Sequence, residues 1–192
     1  RRNDVEYDAE TALAYAVYHL PDYYAAVGYV LDDLTERGRL PRTLRVLDVG
    51  AGVGGPALGL HDYLPDDAVV DYHAVEPAAA ADVLDRLLDE TGPNFRATVH
   101  RETAESFDPG GVGGPGDGFD LVVFANVLSE LDDPAATAAR YLETVAADGS
   151  LLAIAPADRN TAVGLRQVER ALVPPAADVS VYAPTLRLWP GE

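Results

Sequence analysis

The sequence predicts an α/β fold, a parallel sheet wound with helices on both faces and preceded by two helices, and three observations carry that expectation. From residue 44 onward, short apolar runs alternate with amphipathic stretches, the rhythm of strand, helix, strand. The runs are continuous in their apolar character, as strands buried on both faces are. The first of them, VLDVGAGVGG (46–55), places Gly50, Gly52 and Gly55 in a G-x-G-x-x-G pattern. Such glycines turn the chain tightly from strand into helix and let a ligand approach the backbone.

Taken in order, 8–19 reads as a helix with Asp8 as N-cap. Pro21 breaks it, and 22–35 reads as a second helix capped by Asp22. The period then changes. LRVLDV (44–49) is the first strand, 53–63 a helix and VVDYHAVE (69–76) the second strand. A helix over 78–91 carries Val83, Leu84, Leu87 and Leu88 on one side, and FRATVH (95–100) is the third strand. DPGGVGGPGDG (108–118) is a loop without the Lys-Ser/Thr of a phosphate loop. FDLVVFAN (119–126) is the fourth strand. A helix over 134–147 follows, with Asp133 as cap and Pro134 in its first turn. SLLAIAP (150–156), a helix over 160–172 and an extended VSVYAP (179–184) complete the pass. The expected organisation is a helical extension over 1–43 and a ligand-binding domain over 44–192.

Composition narrows the chemistry. The 192 residues contain no cysteine, which excludes disulfides, thiol nucleophiles and a cysteine-held metal cluster. No apolar run is long enough to cross a bilayer and no signal peptide is visible, so a cytoplasmic protein without a membrane partner is expected. The chain has 14 arginines, no lysine and 32 acidic residues, for a net charge of −18. A GC-rich genome explains arginine over lysine but not the acidity. The combination points to adaptation to a salt-saturated, halophilic cytoplasm. In molar salt the Debye length is about 3 Å, so the acidity does not by itself exclude an RNA partner.

The ligand is expected at the carboxyl ends of the strands, where the first strand gives way to the glycine turn. Asp48 lies just before that turn. Glu76, 21 residues beyond Gly55, ends the second strand, where a carboxylate can accept from both hydroxyls of a ribose. A pyrophosphate over the turn would be opposed by Asp48. A ligand carrying a sulfonium and an ammonium would gain from it. Simpler roles remain open: a turn-forming Asp48 that bonds its own loop, and a solvated Glu76. The stretch DVGAGVG (48–54), with Asp48, Gly50, Ala51, Gly52 and Gly54, resembles motif I of class I S-adenosylmethionine-dependent methyltransferases. Around 44–156 the resemblance continues. Glu76-Pro77 looks like the family's acidic station after the second strand. Thr103-Ala104-Glu105 sits where the family has its adenine-contacting loop, with a threonine where many members have aspartate. Asn126-Val127-Leu128 resembles the loop at the methionine end. The resemblance implies S-adenosylmethionine as cofactor and a Rossmann-like class I methyltransferase sheet.

After the fourth strand the chain reads Asn126-Val127-Leu128-Ser129, without the proline pair of amino-directed nucleic-acid methyltransferases. No catalytic residue announces itself; His61, His73 and His100 read as structural or surface residues, and His19 stands apart at a helix junction. AYAVYHLPDYYAAVGYVLDDL (14–34) resembles the segment before motif I in the methyltransferase-like family of mitochondrial small-ribosomal-subunit assembly, through Tyr15, His19, Leu20-Pro21 and Tyr24-Ala25-Ala26. Val127–Leu131 and Val181–Pro184 are also similar. Tyr24 then either covers the cofactor or simply packs its ring on the sheet. The cluster-binding cysteines of that family are missing after Pro184. The resemblance implies a ribosomal RNA or small-subunit partner without the metal cluster. A non-catalytic assembly module and a small-molecule methyltransferase are the other readings. The sheet of such enzymes has seven strands, so the closing strands are expected from chain beyond Glu192, with an open edge near 150–156. Acidic repulsion sets one expectation for stability: the melting temperature followed by circular dichroism falls as salt is lowered from molar to millimolar. A flat profile would reduce the composition to codon bias.

Overall fold

A computed structural model of the chain describes residues 8–77, 79–112, 118–174 and 178–183. Its architecture is a five-stranded parallel sheet with helices on both faces. The strands are β1 (Thr43–Val49), β2 (Val69–Val75), β3 (Phe95–His100), β4 (Phe119–Ala125) and β5 (Val145–Ile154). They stand in the order β3-β2-β1-β4-β5. The chain steps outward from β1 to β3 and then returns to place β4 beside β1. This reversal opens a crevice at the carboxyl ends of β1 and β4.

Helices α1 (Ala9–Tyr18) and α2 (Leu20–Glu36) precede the sheet. Asp8 caps α1 by accepting from the Thr11 N–H at 2.8 Å. Pro21 does not separate the helices as widely as expected, because it sits in the first turn of α2, where its missing N–H would have had no partner. Only His19 lies between them. It, not Asp22, is the residue before α2, and it caps without its side chain.

One face of the sheet packs Val46, Tyr72 and Val123 against Val27, Leu31 and Leu34 of α2, Leu60 of α3 (Gly55–Tyr63), and Leu84 and Leu88 of α4 (Ala80–Leu88). The opposite face packs Leu47, Val122 and Phe124 against Ala138 and Tyr141 of α5 (Pro134–Leu142) and Val168 of α6 (Arg159–Leu172). Helix α1 lies across the top instead: its Ala12 packs with Val53 and Ala80.

Two boundaries differ from the sequence reading for physical reasons. The helix expected over 134–147 stops at Leu142, and β5 starts already at Val145. Residues 145–149 pair irregularly, with Val145 opposite Phe119 and Ser150 opposite Leu121. A Cβ at Gly149 would lie 2.7 Å from the Phe119 carbonyl oxygen, so this bulge needs its glycine. VAADG has no strand alternation to reveal it. The extended 179–184 segment is no strand over its described residues 179–183. Instead, the Tyr182 ring lies beneath the guanidinium groups of Arg37 and Arg39. Pro184 and the residues beyond, Ala78, and the centre of the glycine loop (113–117) lie outside the described residues. Among the described residues β5 has one unpaired edge, and all its apolar residues except the exposed Ala147 are half-buried.

Helix α2 thus belongs to the same core as the sheet. Leu31, fully buried, supplies the test. Leu31→Ala is expected to cost about 2–5 kcal/mol and to lower the urea midpoint of the whole protein in one transition. A separate early transition would show α1 and α2 folding independently.

Candidate functional site

A cavity of about 700 Å³ opens at the carboxyl end of the sheet, above the crevice between β1 and β4. Its floor is the turn after β1. Gly50, Gly52 and Gly54 all adopt positive φ, at 68°, 56° and 93°. The three do different work. A Cβ on Gly50 would fall 2.4 Å from Val127, and one on Gly54 would fall 2.7 Å from Leu84 of α4. Those two glycines therefore let neighbouring elements close on the turn. A Cβ on Gly52 would meet nothing within 4 Å, because Gly52 faces the open cavity, as do Gly50 and Ala51. Gly54 does not line the cavity; it sits behind it.

Glu76 joins the turn to the end of β2. Its Oε2 accepts from the Gly52 N–H at 3.0 Å, and the residue is only 8% exposed. Pro77, Thr103, Ala104, Asn126 and Val127 also line the cavity, so the structure brings these sequence-selected residues together around one space. Thr103 accepts from the Ser106 N–H at 3.2 Å. The Ala104 carbonyl oxygen takes hydrogen bonds from Arg140 and from the Tyr141 hydroxyl, which fix that loop from below. Asn126 has φ +64°, the one described non-glycine residue in the left-handed region. Such strain concentrates at functional sites.

Two residues are placed differently from expectation. Asp48 does not reach the cavity. It is fully buried beneath the turn, where its Oδ2 accepts from the Tyr72 hydroxyl at 2.5 Å. Its Oδ1 is buried without a hydrogen-bond partner among the described residues. Burial, opposed by the Tyr72 hydrogen bond and reinforced by the charge of Glu76, pushes its carboxyl up to about 7. Its side chain leaves β1 on the face that meets Tyr72, so any influence on a ligand passes through the loop above it. Tyr24 neither covers the cavity nor packs on the sheet: its hydroxyl donates to Asp62 of α3 at 3.2 Å. Its neighbour Tyr23, one helical step round α2, lines the cavity together with Tyr15 of α1. His19 stands between these rings, 4.5 Å from Tyr15 and 5.9 Å from Tyr23 between centroids. The i, i+4, i+8 spacing of Tyr15, His19 and Tyr23 was the available signal for this wall.

The rim adds Glu105, from the expected adenine-contacting loop, and four residues that the sequence reading gave no site role: Ser129, Glu130, Leu131 and Asp132. Asp132 donates its N–H to Glu105 at 3.4 Å, bridging the loops after β3 and β4. Burial and the charge of Glu76 raise the Glu130 carboxyl. Four carboxylates line the cavity, from Glu76, Glu105, Glu130 and Asp132, and among the described residues its lining holds no arginine or histidine. His73 and His100 lie outside it, joined by a 3.1 Å hydrogen bond between β2 and β3. No group of three metal-ligating side chains gathers among the described residues. No helix among them is long and apolar enough to cross a membrane.

The raised Asp48 carboxyl has a definite sign in stability. Its folded value near 7 exceeds the usual ~3.9 of an unfolded aspartate, so the native state holds the proton more tightly. That contribution is complete below about pH 4 and is lost as pH rises through 7. The stability of the native protein relative to Asp48→Asn is therefore expected to fall between pH 5 and 8, by an amount on the order of a few kcal/mol. Urea midpoints of both proteins across that range check it; a constant difference would contradict a buried titrating carboxyl.

The sequence profile of a family described as a methyltransferase domain matches residues 47–151. No curated protein matches the chain. Among solved structures, a Methanococcus maripaludis protein assigned as an S-adenosyl-L-methionine-dependent methyltransferase is similar at 12% identity and a TM-score of 0.58, over 88% of this chain and 74% of that one. The CurJ carbon methyltransferase is similar at 18% identity and 0.57, over 85% of this chain and 43% of that one. The plantazolicin methyltransferase BpumL, solved with SAH, is similar at 13% identity and 0.54, over 76% and 53%. At these identities the likeness is one of fold, and the chain spans only about half of the latter two proteins. The match to the sequence profile covers more than half of the residues, and on it the chain belongs to the methyltransferase-domain family, whose cofactor is S-adenosylmethionine.

Proposed function

We propose that the chain transfers a methyl group from S-adenosylmethionine to a small-molecule acceptor. The carrying observation is the cavity at the crevice, with four carboxylates and no cationic side chain among the described residues of its lining. A dinucleotide would set its pyrophosphate among those carboxylates, and an RNA acceptor would bring its phosphates to the same rim. A sulfonium with an ammonium suits it, and the open backbone at Gly52 gives such a ligand close approach. In this reading Glu76 holds the ribose hydroxyls, with Pro77 beside it. Thr103 and Ala104 flank the adenine. Gly50, Ala51, Gly52, Asn126 and Val127 surround the methionine end. Asp48 and Gly54 support the turn from behind. Residues 1–43 act as an extension that completes the donor site of the 44–192 domain through Tyr15 and Tyr23. The bound cofactor supplies an electrophilic methyl carbon on sulfur; the protein's share is to bind, orient and exclude water.

The ribosomal reading draws its support from the sequence similarity over 14–34 and 127–131. Mapping methylation of small-subunit RNA in cells with and without the protein tests it, and a lost methyl mark would establish it. The non-catalytic reading is tested by incubating the protein with methyl-labelled cofactor and an extract of small metabolites.

Isothermal titration in molar salt tests the donor site. S-adenosylhomocysteine is expected to bind and NAD is not. Glu76→Ala is expected to weaken binding by about 1–3 kcal/mol through loss of charge-assisted hydrogen bonds. NAD binding as tight as S-adenosylhomocysteine would overturn the reading.

A further inference from the structure

A second cavity of about 230 Å³ lies beside the first, between the loop after β4, the end of β5 and α6. The two share Asn126, Ser129, Leu131 and Pro156 as a common wall. Beyond that wall the second cavity is mainly apolar, lined by Leu128, Ile154, Leu165 and Val168. A cavity of about 150 Å³ with aliphatic walls is already large enough for benzene.

Gly164 of α6 also lines this space. Glycine in a helix interior is unfavourable against almost any other residue. Here neither common excuse applies. Its backbone is not in the positive-φ region, and a Cβ would meet nothing within 4 Å. On the face that carries Thr161, Leu165 and Val168 toward the cavity, the missing side chain leaves the space open.

We propose that this cavity is the acceptor subsite, taking the apolar group of a small amine whose nitrogen is held at Glu130. The proposal rests on the methyltransferase reading and deepens it. Glu130 lines the donor cavity between Ser129, which lines both cavities, and Leu131, which does too. An amine seated there has its carbon part in the apolar space and its charge toward the carboxylate rim. The elevated Glu130 carboxyl suits proton acceptance. The bound ammonium gives one proton to Glu130. The freed nitrogen lone pair forms the N–C bond while the pair of the breaking C–S bond stays on sulfur. The methylated amine leaves as an ammonium, and Glu130 returns its proton to solvent.

The test uses the 192-residue chain in molar potassium chloride, saturated with S-adenosylhomocysteine, and titrates three probes by calorimetry. The probes are 2-phenylethylamine, 3-phenylpropionate and ethanolamine. The amine with the ring is expected to bind at least about tenfold more tightly than the carboxylate, which has the wrong charge, and than ethanolamine, which has no apolar group. Gly164→Leu fills the cavity and is expected to lose about tenfold or more in 2-phenylethylamine affinity. It should keep its affinity for S-adenosylhomocysteine and its melting temperature, since leucine is the better helix former. Glu130→Gln is expected to erase the preference for amine over carboxylate. With S-adenosylhomocysteine bound, equal affinity for the three probes, or unchanged amine binding by Gly164→Leu, overturns the proposal alone. Failure of S-adenosylhomocysteine itself to bind overturns the methyltransferase reading and the proposal with it.

Discussion

The constraint on which the molecule depends is the compression of the chain after β1. Three left-handed glycines within five residues bring the backbone round so tightly that Val127 from one side and Leu84 from the other rest against it. The same turn starts α3 at Gly55, where a Cβ would fall 2.7 Å from that of Tyr23. Helix α2, helix α4 and the loop after β4 are therefore all positioned by one six-residue stretch, 50–55. It is tied at its start by the Gly50 N–H on the Val75 carbonyl, at 2.8 Å, and in its middle by the Gly52 N–H on Glu76. Floor and side wall of the larger cavity are one hydrogen-bonded unit.

Charge has been arranged around this unit rather than spread evenly. Arg101 pairs with Asp82 and Asp85 on the outside of α4. Arg37 and Arg39 sit on Tyr182 beyond the C-terminus of α2. Arg140 gives its guanidinium to the carbonyls of Ala104, Glu105 and Phe107. The cavity is left to carboxylates, and Asp48 lies beneath them without access to water. Burial first, and the charge of Glu76 after it, raise the Glu130 and Asp48 carboxyls. The site is thus poised to gain when a cation enters it.

The sheet and most of the site were legible because they follow from backbone rules. Continuous apolar runs reveal buried strands, and a glycine turn followed by an acid at the next strand end reveals the crevice. β1, β3 and α6 fall within a residue of their expected bounds. Orientation was less legible. Asp48 and Glu76 look equivalent in sequence, yet strand register sends one under the turn and the other to the cavity wall. Tyr23 and Tyr24 differ by a single helical step and face different neighbours. The rim acids after β4 carry no periodic signal, and the bulge at the start of β5 looks helical until its pairing is known. Arg140 could not be found from sequence: its partners are carbonyls more than thirty positions away.

The walls of the larger cavity come from segments scattered from Ala12 to Pro156. No two neighbouring elements alone enclose it. Chain topology of this kind, with partners far apart in sequence, forms slowly, because loop closure must precede the contacts that reward it. A partly folded chain has no partial site to offer, so ligand affinity belongs to the native state alone. Every increment of occupancy then adds to global stability by mass action, and the cofactor becomes a structural component of the protein whenever it is abundant.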